Sequence, residues 1–578
     1  MSLLFFLILT YLLTLFGFLI DIKIISLLTL IFTFIYFVKK KGSIYISQTP
    51  TLFLLFFLIF TVITLNFSYD KASSLEGIIL YISAFLLLIV SYNHQQQIKK
   101  ILQTFFITTT FLTIIAYLIG KYFKLNFLEE PSALIYAGYH HNLIGNFLAL
   151  GLIYFLTKNI FYNQKINIFL ILLIISFLLL TVSRTAYFSI FIISLILFFK
   201  NKNLNKILFF ILLLITVISL FSTIYFTKET NRFLPIFVQK FLTIEKEKTF
   251  FGNRPKYFYY TLKAFKDNPL GVGINNLHWH TPKYQFFLEE AVTTSHNFFL
   301  DILAENGIFA FLAFSLFLIY IIKNLYFDEV TYVFLGLNLV FLTDFLHRYD
   351  FFIIFYFFLA GLVLNKKEKI NLNKIYFLII NVILLIISFM ISSSYLLNNF
   401  NQKELAIRLY PFNWRFYNMF IYENKNKYPH KALNYLLKFE KLFADGSTIN
   451  LIKAKNFLDF NEKEKALFYF EKAFLENPFY LDFYFNEFMN LNMDIYGEKA
   501  GKEKAKKYIN KWLIKINPDK NSYLYQIIKS RVKDYQLSVK ISLNQSLVPI
   551  QAAPRRCKGT IINFMDLHSK KLDNFMDL

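Results

Sequence analysis

The chain is 578 residues long, 56% hydrophobic, with 74 phenylalanines and a formal net charge of +24. A soluble fold of this length cannot bury so much apolar surface, so most of the chain must be solvated by lipid. Its only cysteine, Cys557, excludes intrachain disulfides and cysteine-ligated metal sites. Its positive charge is spread over short connecting segments, which argues against a nucleic-acid-binding face.

Apolar runs bounded by charges predict thirteen spans, at 2–20, 24–38, 51–65, 75–90, 101–119, 142–156, 168–182, 185–199, 207–226, 307–322, 331–346, 351–364 and 375–397. The first run lacks a basic start and a small-residue cleavage site, so it reads as a retained helix. With the N-terminus in the cytoplasm, fifteen lysines fall in cytoplasmic connections, among them Lys39, Lys40, Lys41, Lys99, Lys100, Lys366, Lys367 and Lys374. Only Lys23, Lys71, Lys121, Lys124, Arg184 and Arg348 fall in the short opposite connections. That bias predicts a cytoplasmic N-terminus and places the long polar loop 227–306, together with everything after Leu397, on the outer face, the periplasm of a Gram-negative inner membrane.

The expected class is therefore an all-α polytopic bundle of about 12–13 spans over residues 1–400. Residues 401–537 are amphipathic and charged, and Lys431-Ala432-Leu433 recurs as Lys465-Ala466-Leu467 after 34 positions, the tetratricopeptide (TPR) period. Ala466, Phe470, Ala473 and Pro478 fit the second helix of such a repeat, predicting a periplasmic TPR-like helical domain. Residues 538–578 lack an apolar period and repeat Asn-Phe-Met-Asp-Leu at 563 and 574, so a disordered tail is expected.

The chemistry gathers in and around the outer loop. Arg184 interrupts an apolar run between two spans; an arginine there either snorkels to the interface or clamps a phosphate arriving in the membrane plane. Arg254 and Pro269-Leu270-Gly271-Val272-Gly273 follow, and then His296-Asn297-Phe298-Phe299-Leu300 running into Gly307. His296 sits at a predicted helix start, where the dipole favours a neutral imidazole; it is either a cap or a base. Glu289 and Glu290 are alternative bases. His278-Trp279-His280 is a weak metal motif, and Gly271-Val272-Gly273 departs from the dinucleotide fingerprint, leaving a tight turn as its reading.

Ser183-Arg184-Thr185, Arg254 with the Pro-Leu-Gly-Val-Gly turn, and His296-Asn297-x-x-Leu300 ending in Gly307 occur in the order found in the O-antigen ligase family, and residues 170–365 resemble it. That family also contains O-antigen polymerases and protein O-oligosaccharyltransferases. Gly138-Tyr139-His140-His141-Asn142 is a polar patch where such proteins often place one, making His140 and His141 candidate donor or acceptor contacts, together with Asn297 of the histidine motif and Glu289 and Glu290. The resemblance implies transfer of a glycan from undecaprenyl diphosphate to an acceptor hydroxyl, on lipid A-core, on a growing polymer or on protein. Arg184 and Arg254 would bind the diphosphate and His296 would serve as base, with inversion at the anomeric carbon and no metal or cofactor. The TPR-like region could hold a protein partner. A lipid-linked glycan transporter is the remaining alternative, disfavoured because the polar candidates gather at one face rather than at the midplane.

Overall fold

The computed structural model describes residues 3–16, 24–122, 141–162, 168–181, 183–200, 254–285, 292, 294–365, 369–443, 446–477 and 479–516. The predicted span 207–226 and the tail 538–578 lie outside them. Among the described residues, five helices are long and apolar enough to cross a membrane: Gln48–Phe67, Lys71–Asn93, Gln95–Ile115, Phe298–Lys323 and Lys374–Asn399. Shorter apolar helices, Leu3–Thr14, Ile24–Lys39, Asn142–Lys158, Thr185–Lys200, Glu329–Thr343 and Asp350–Val363, fill the bundle between them.

Two helices form its centre. Lys71–Asn93 is 83% buried, and it packs against Asp350–Val363, whose residues from Phe351 to Val363 are all buried. The outer helices Gln48–Phe67 and Lys374–Asn399 are 39% and 33% buried. Their exposed residues are apolar: Leu52, Leu55, Phe56 and Ile59 on one, Ile379, Ile383, Ile386 and Phe389 on the other. A helix with an apolar outer face is suited to hydrocarbon, not to water.

The connections sort into two ends. At one, Ile44–Ser47 pairs antiparallel with Lys369–Leu372, Lys374 Nζ donates to the Lys40 carbonyl at 3.2 Å, and Gln95 Nε2 donates to the Leu364 carbonyl at 2.7 Å. This ribbon is a small correction to the all-α expectation. It forms because two short connections, each flanked by lysines, run side by side and satisfy each other's backbone groups. At the other end, Asp70 N donates to Asn276 Oδ1 at 2.7 Å, Ser74 Oγ donates to the Ile274 carbonyl at 2.9 Å, and Tyr410 Oη donates to the Ala72 carbonyl at 3.0 Å. The lysine-rich connections 39–41 and 369–374 are thus at the end opposite the Gly-rich turn and the last group of helices.

Beyond Asn399 the helices pair as hairpins: Trp414–Asn424 with Pro429–Leu442, Ser447–Asp459 with Lys463–Glu476, and Phe485–Tyr496 with Glu498–Ile516. Ala432, Ala466, Ala473 and Ala505 are fully buried where paired helices approach. The group is fastened to the bundle: Trp414 Nε1 donates to Asp70 Oδ2 at 3.2 Å, and the Trp279 and Trp414 rings meet edge to face at 6.1 Å.

Candidate active site

The predicted span at 307–322 begins earlier. The helix runs from Phe298 to Lys323 through one widened π turn, Ile302–Asn306. A π turn spoils the regular hydrogen-bond ladder, and the Gly-rich turn takes up the freed groups. Val272 N donates to the Ala304 carbonyl at 3.1 Å, Gly273 N to the Glu305 carbonyl at 2.8 Å, and Ile308 N to the Pro269 carbonyl at 3.0 Å. The approach is close enough to require glycine on both sides. A Cβ on Gly271 would lie 2.6 Å from the Glu305 carbonyl oxygen, and one on Gly307 would lie 2.3 Å from that of Leu270. Both glycines have positive φ, 96° and 83°. The Pro-Leu-Gly-Val-Gly motif is therefore a backbone clamp on the helix that carries the histidine motif.

His296 directly precedes that helix. Asn297 is the cap: its Oδ1 accepts from Phe299 N and Leu300 N at 3.0 and 3.1 Å, while its Nδ2 donates to the Leu342 carbonyl at 3.1 Å. His296 itself has a φ of 58°, a strained value for a residue with a Cβ. Its backbone N–H donates to Thr294 Oγ1 at 3.2 Å, and the ring stacks on Tyr257 at 5.3 Å with the edge of Phe345 at 4.8 Å. The imidazole is thereby fixed facing a carboxylate, with Nδ1 3.8 Å from Asp344 Oδ1, beyond hydrogen-bond length but within ion-pair range.

Asp344 is fully buried. Its Oδ2 accepts from Asn146 Nδ2 at 3.0 Å and from Thr185 Oγ1 at 2.9 Å, and its Oδ1 accepts from Phe345 N at 2.8 Å. Burial works to raise its pKa, but the facing His296 and Arg254 and the Phe345 N–H hold it below the ordinary carboxylate value. Arg254, the first residue of helix Arg254–Asp267, has its pKa lowered by burial and partly restored by Asp344. Arg184 opens the helix Arg184–Lys200, one residue before the Thr185 that bonds Asp344. Three elements far apart in sequence, named for Arg184, Arg254 and His296, thus converge on one buried aspartate.

The Arg184 and His141 side chains, and all of His140, Glu289 and Glu290, lie outside the described residues. Asn297 serves as a helix cap. His280 stacks on Tyr69 at 4.3 Å and 14°. Asp344 was not singled out from sequence, although a carboxylate inside the predicted span 331–346 is itself a signal, since lipid-depth charges need a reason. Asn146 and Thr185 carry no such signal.

A second polar group stands behind His296. Asp301 accepts from Ser295 N at 2.9 Å, from Thr294 Oγ1, and from Arg348 Nη2 at 3.0 Å, and pairs with His347 Nε2 at 2.7 Å. Arg348 also donates to Glu305 Oε1 at 2.8 Å and to Asn275 Oδ1 at 2.7 Å. Burial alone would lower the Arg348 pKa, but Glu305 and Asp301 outweigh it and hold the pKa above its ordinary value. From sequence, Arg348 counted only as a topology charge.

Membrane-length helices with a histidine, a buried aspartate and an arginine gathered at one end define a polytopic membrane protein with an enzyme-like polar centre. Residues 169–315 match the family model described as O-antigen ligase, a match that supports the resemblance to that family read from the sequence. No curated protein and no solved structure matches it. The matched segment contains Arg184, Arg254, His296 and Gly307 and stops before Asp344.

Proposed function

We propose that the protein is an O-antigen ligase-type glycosyltransferase that moves a glycan from undecaprenyl diphosphate to the hydroxyl of lipid A-core on the periplasmic face of the inner membrane. The observation that carries this reading is His296 held against buried Asp344 beside Arg254. With Nδ1 turned to the carboxylate, the tautomer carrying its proton on Nδ1 is favoured, and Nε2 is the base. Nε2 takes the proton of the acceptor hydroxyl as that oxygen forms its bond to the anomeric carbon. The bond from that carbon to the diphosphate oxygen breaks, the electron pair leaves with the carrier diphosphate, and the configuration inverts. Asp344 stabilises the imidazolium that develops. Arg254 and Arg184 neutralise the leaving diphosphate, a role that requires neither a strong general acid nor a metal. The lysine-rich connections gathered at the opposite end support a cytoplasmic N-terminus, with the site and the helical hairpins outside.

Residues 1–400 form the transferase domain in this reading. The hairpins after it, with second helices beginning at Pro429, Lys463 and Glu498, support a TPR-like periplasmic domain over 401–537. The test is deletion in the native host, followed by glycan-stained gels of lipopolysaccharide and of total protein. Loss of long lipopolysaccharide with accumulation of carrier-linked polymer is the expected result. Lipopolysaccharide capped with single units would point to polymerisation, and loss of glycoprotein alone to protein transfer. Normal glycans of every kind would refute the activity.

A further inference from the structure

A cavity of about 440 Å³ lies on the far side of the His296 turn, a size within the roughly 300–1,000 Å³ of small-molecule sites. It shares a wall with the proposed base, because Asp301 lines it and also holds Ser295 and Thr294. Arg348 and His347 form part of the same wall. His347 is 7% exposed, and its Nδ1 has no hydrogen-bond partner among the described residues, nor does Arg348 Nε. Opposite stand Glu76, which accepts from Tyr395 Oη at 2.9 Å, and Arg415 from the first helical hairpin. Tyr81, Ile274 and Ile353 supply apolar surface.

The geometry points to this cavity as the binding site for one neutral pyranose unit of a glycan, an inference that rests on the glycosyltransferase reading. The carboxylates of Glu76, Asp301, Glu305 and Asp350 stand against the guanidiniums of Arg348 and Arg415, so a phosphate would meet more negative than positive charge. Asp301 and Glu305 already hold Arg348, and Glu76 already holds a tyrosine, so a bare cation finds three of the four carboxylates engaged. Hydroxyl groups, each both donor and acceptor, fit a lining of alternating acceptors and donors, and the apolar residues suit the C–H faces of a sugar ring. Since Arg415 belongs to the hairpin region, that region contributes directly to sugar selection.

The experiment uses the full-length protein in lauryldimethylamine oxide, which has no sugar headgroup. Saturation-transfer NMR is recorded with the methyl α-glycosides of glucose, galactose and N-acetylglucosamine. At least one glycoside gives a transfer signal, which falls fivefold or more in Arg415→Ala and in Glu76→Gln but persists in His296→Ala. Arg415 is exposed, so its variant keeps the fold. No signal with any glycoside, a signal indifferent to both cavity variants, or preferential binding of pyrophosphate or spermidine overturns the inference. Glycoside binding without transfer to any acceptor would leave the cavity standing and refute the transferase, and transfer without glycoside binding would do the reverse. Inhibition of transfer that is competitive with the lipid-linked donor assigns the sugar to the donor, and inhibition competitive with the acceptor assigns it to the acceptor.

Discussion

Replacing Asp344 with asparagine removes one charge and almost no volume. The one amide oxygen, placed at the Oδ2 position, still accepts from Asn146 and Thr185, so the helix ends they join should stay together, while the Phe345 N–H loses its acceptor. What is lost is the attraction between the carboxylate and the imidazolium formed when His296 takes a proton. At 3.8 Å, with an effective dielectric of about 20, two unit charges attract by about 4 kcal/mol. His296 is 24% exposed, and water screens part of that, leaving about 2–4 kcal/mol. This corresponds to roughly a 30- to 1,000-fold fall in turnover. Arg254 loses its counter-charge at the same time and becomes freer to grip a phosphate, so KM for the lipid-linked donor should stay level or drop while kcat falls. The assay is transfer from purified lipid-linked glycan to acceptor by detergent-solubilised protein, with thermal unfolding recorded to show that the variant is folded. A folded Asp344→Asn protein within threefold of the parent kcat would refute the assignment of Asp344 as partner of the base.

Three other perturbations are informative. Arg254→Lys keeps the charge but loses the planar fork, and it should cost tenfold or more in transfer, as should Arg184→Lys; near-normal rates in both would return these arginines to electrostatic or snorkelling roles. Gly307→Ala puts a methyl 2.3 Å from the Leu270 carbonyl oxygen at a φ of 83°, so a loss of about 3 kcal/mol or more is expected, read as a clear drop in Tm, and an unchanged Tm would show that the clamp is not tight. His280 is held neutral by burial, its pKa lowered to about 3, so its contribution is complete above the unfolded value of about 6.5 and is lost as pH falls from there through the folded value. The His280 share of the cost of going from pH 7 to 5 should therefore be about 2 kcal/mol, and His280→Phe should remove that share while keeping the stack on Tyr69.

The sequence alone determined that this is a helical membrane protein, because no other solvent accommodates runs such as 75–90 and 375–397. It also singled out Arg184, Arg254 and His296 as candidates, since charged and polar residues beside apolar spans stand out against a monotonous background. It brought out the 34-residue period, whose buried alanines line the hairpin contacts. Only the tertiary structure decided what the histidine faces. Asp344, Asn146 and Thr185 come from three segments whose meeting depends on how the apolar helices Asn142–Lys158, Thr185–Lys200 and Glu329–Thr343 pack, and packing among uniformly apolar faces leaves no periodic trace in the chain. The Gly-rich turn is the complementary case. Its residues were legible as a motif, but its purpose, capturing the carbonyls freed by a π turn about 30 residues later, depends on a backbone contact that side-chain identity does not encode.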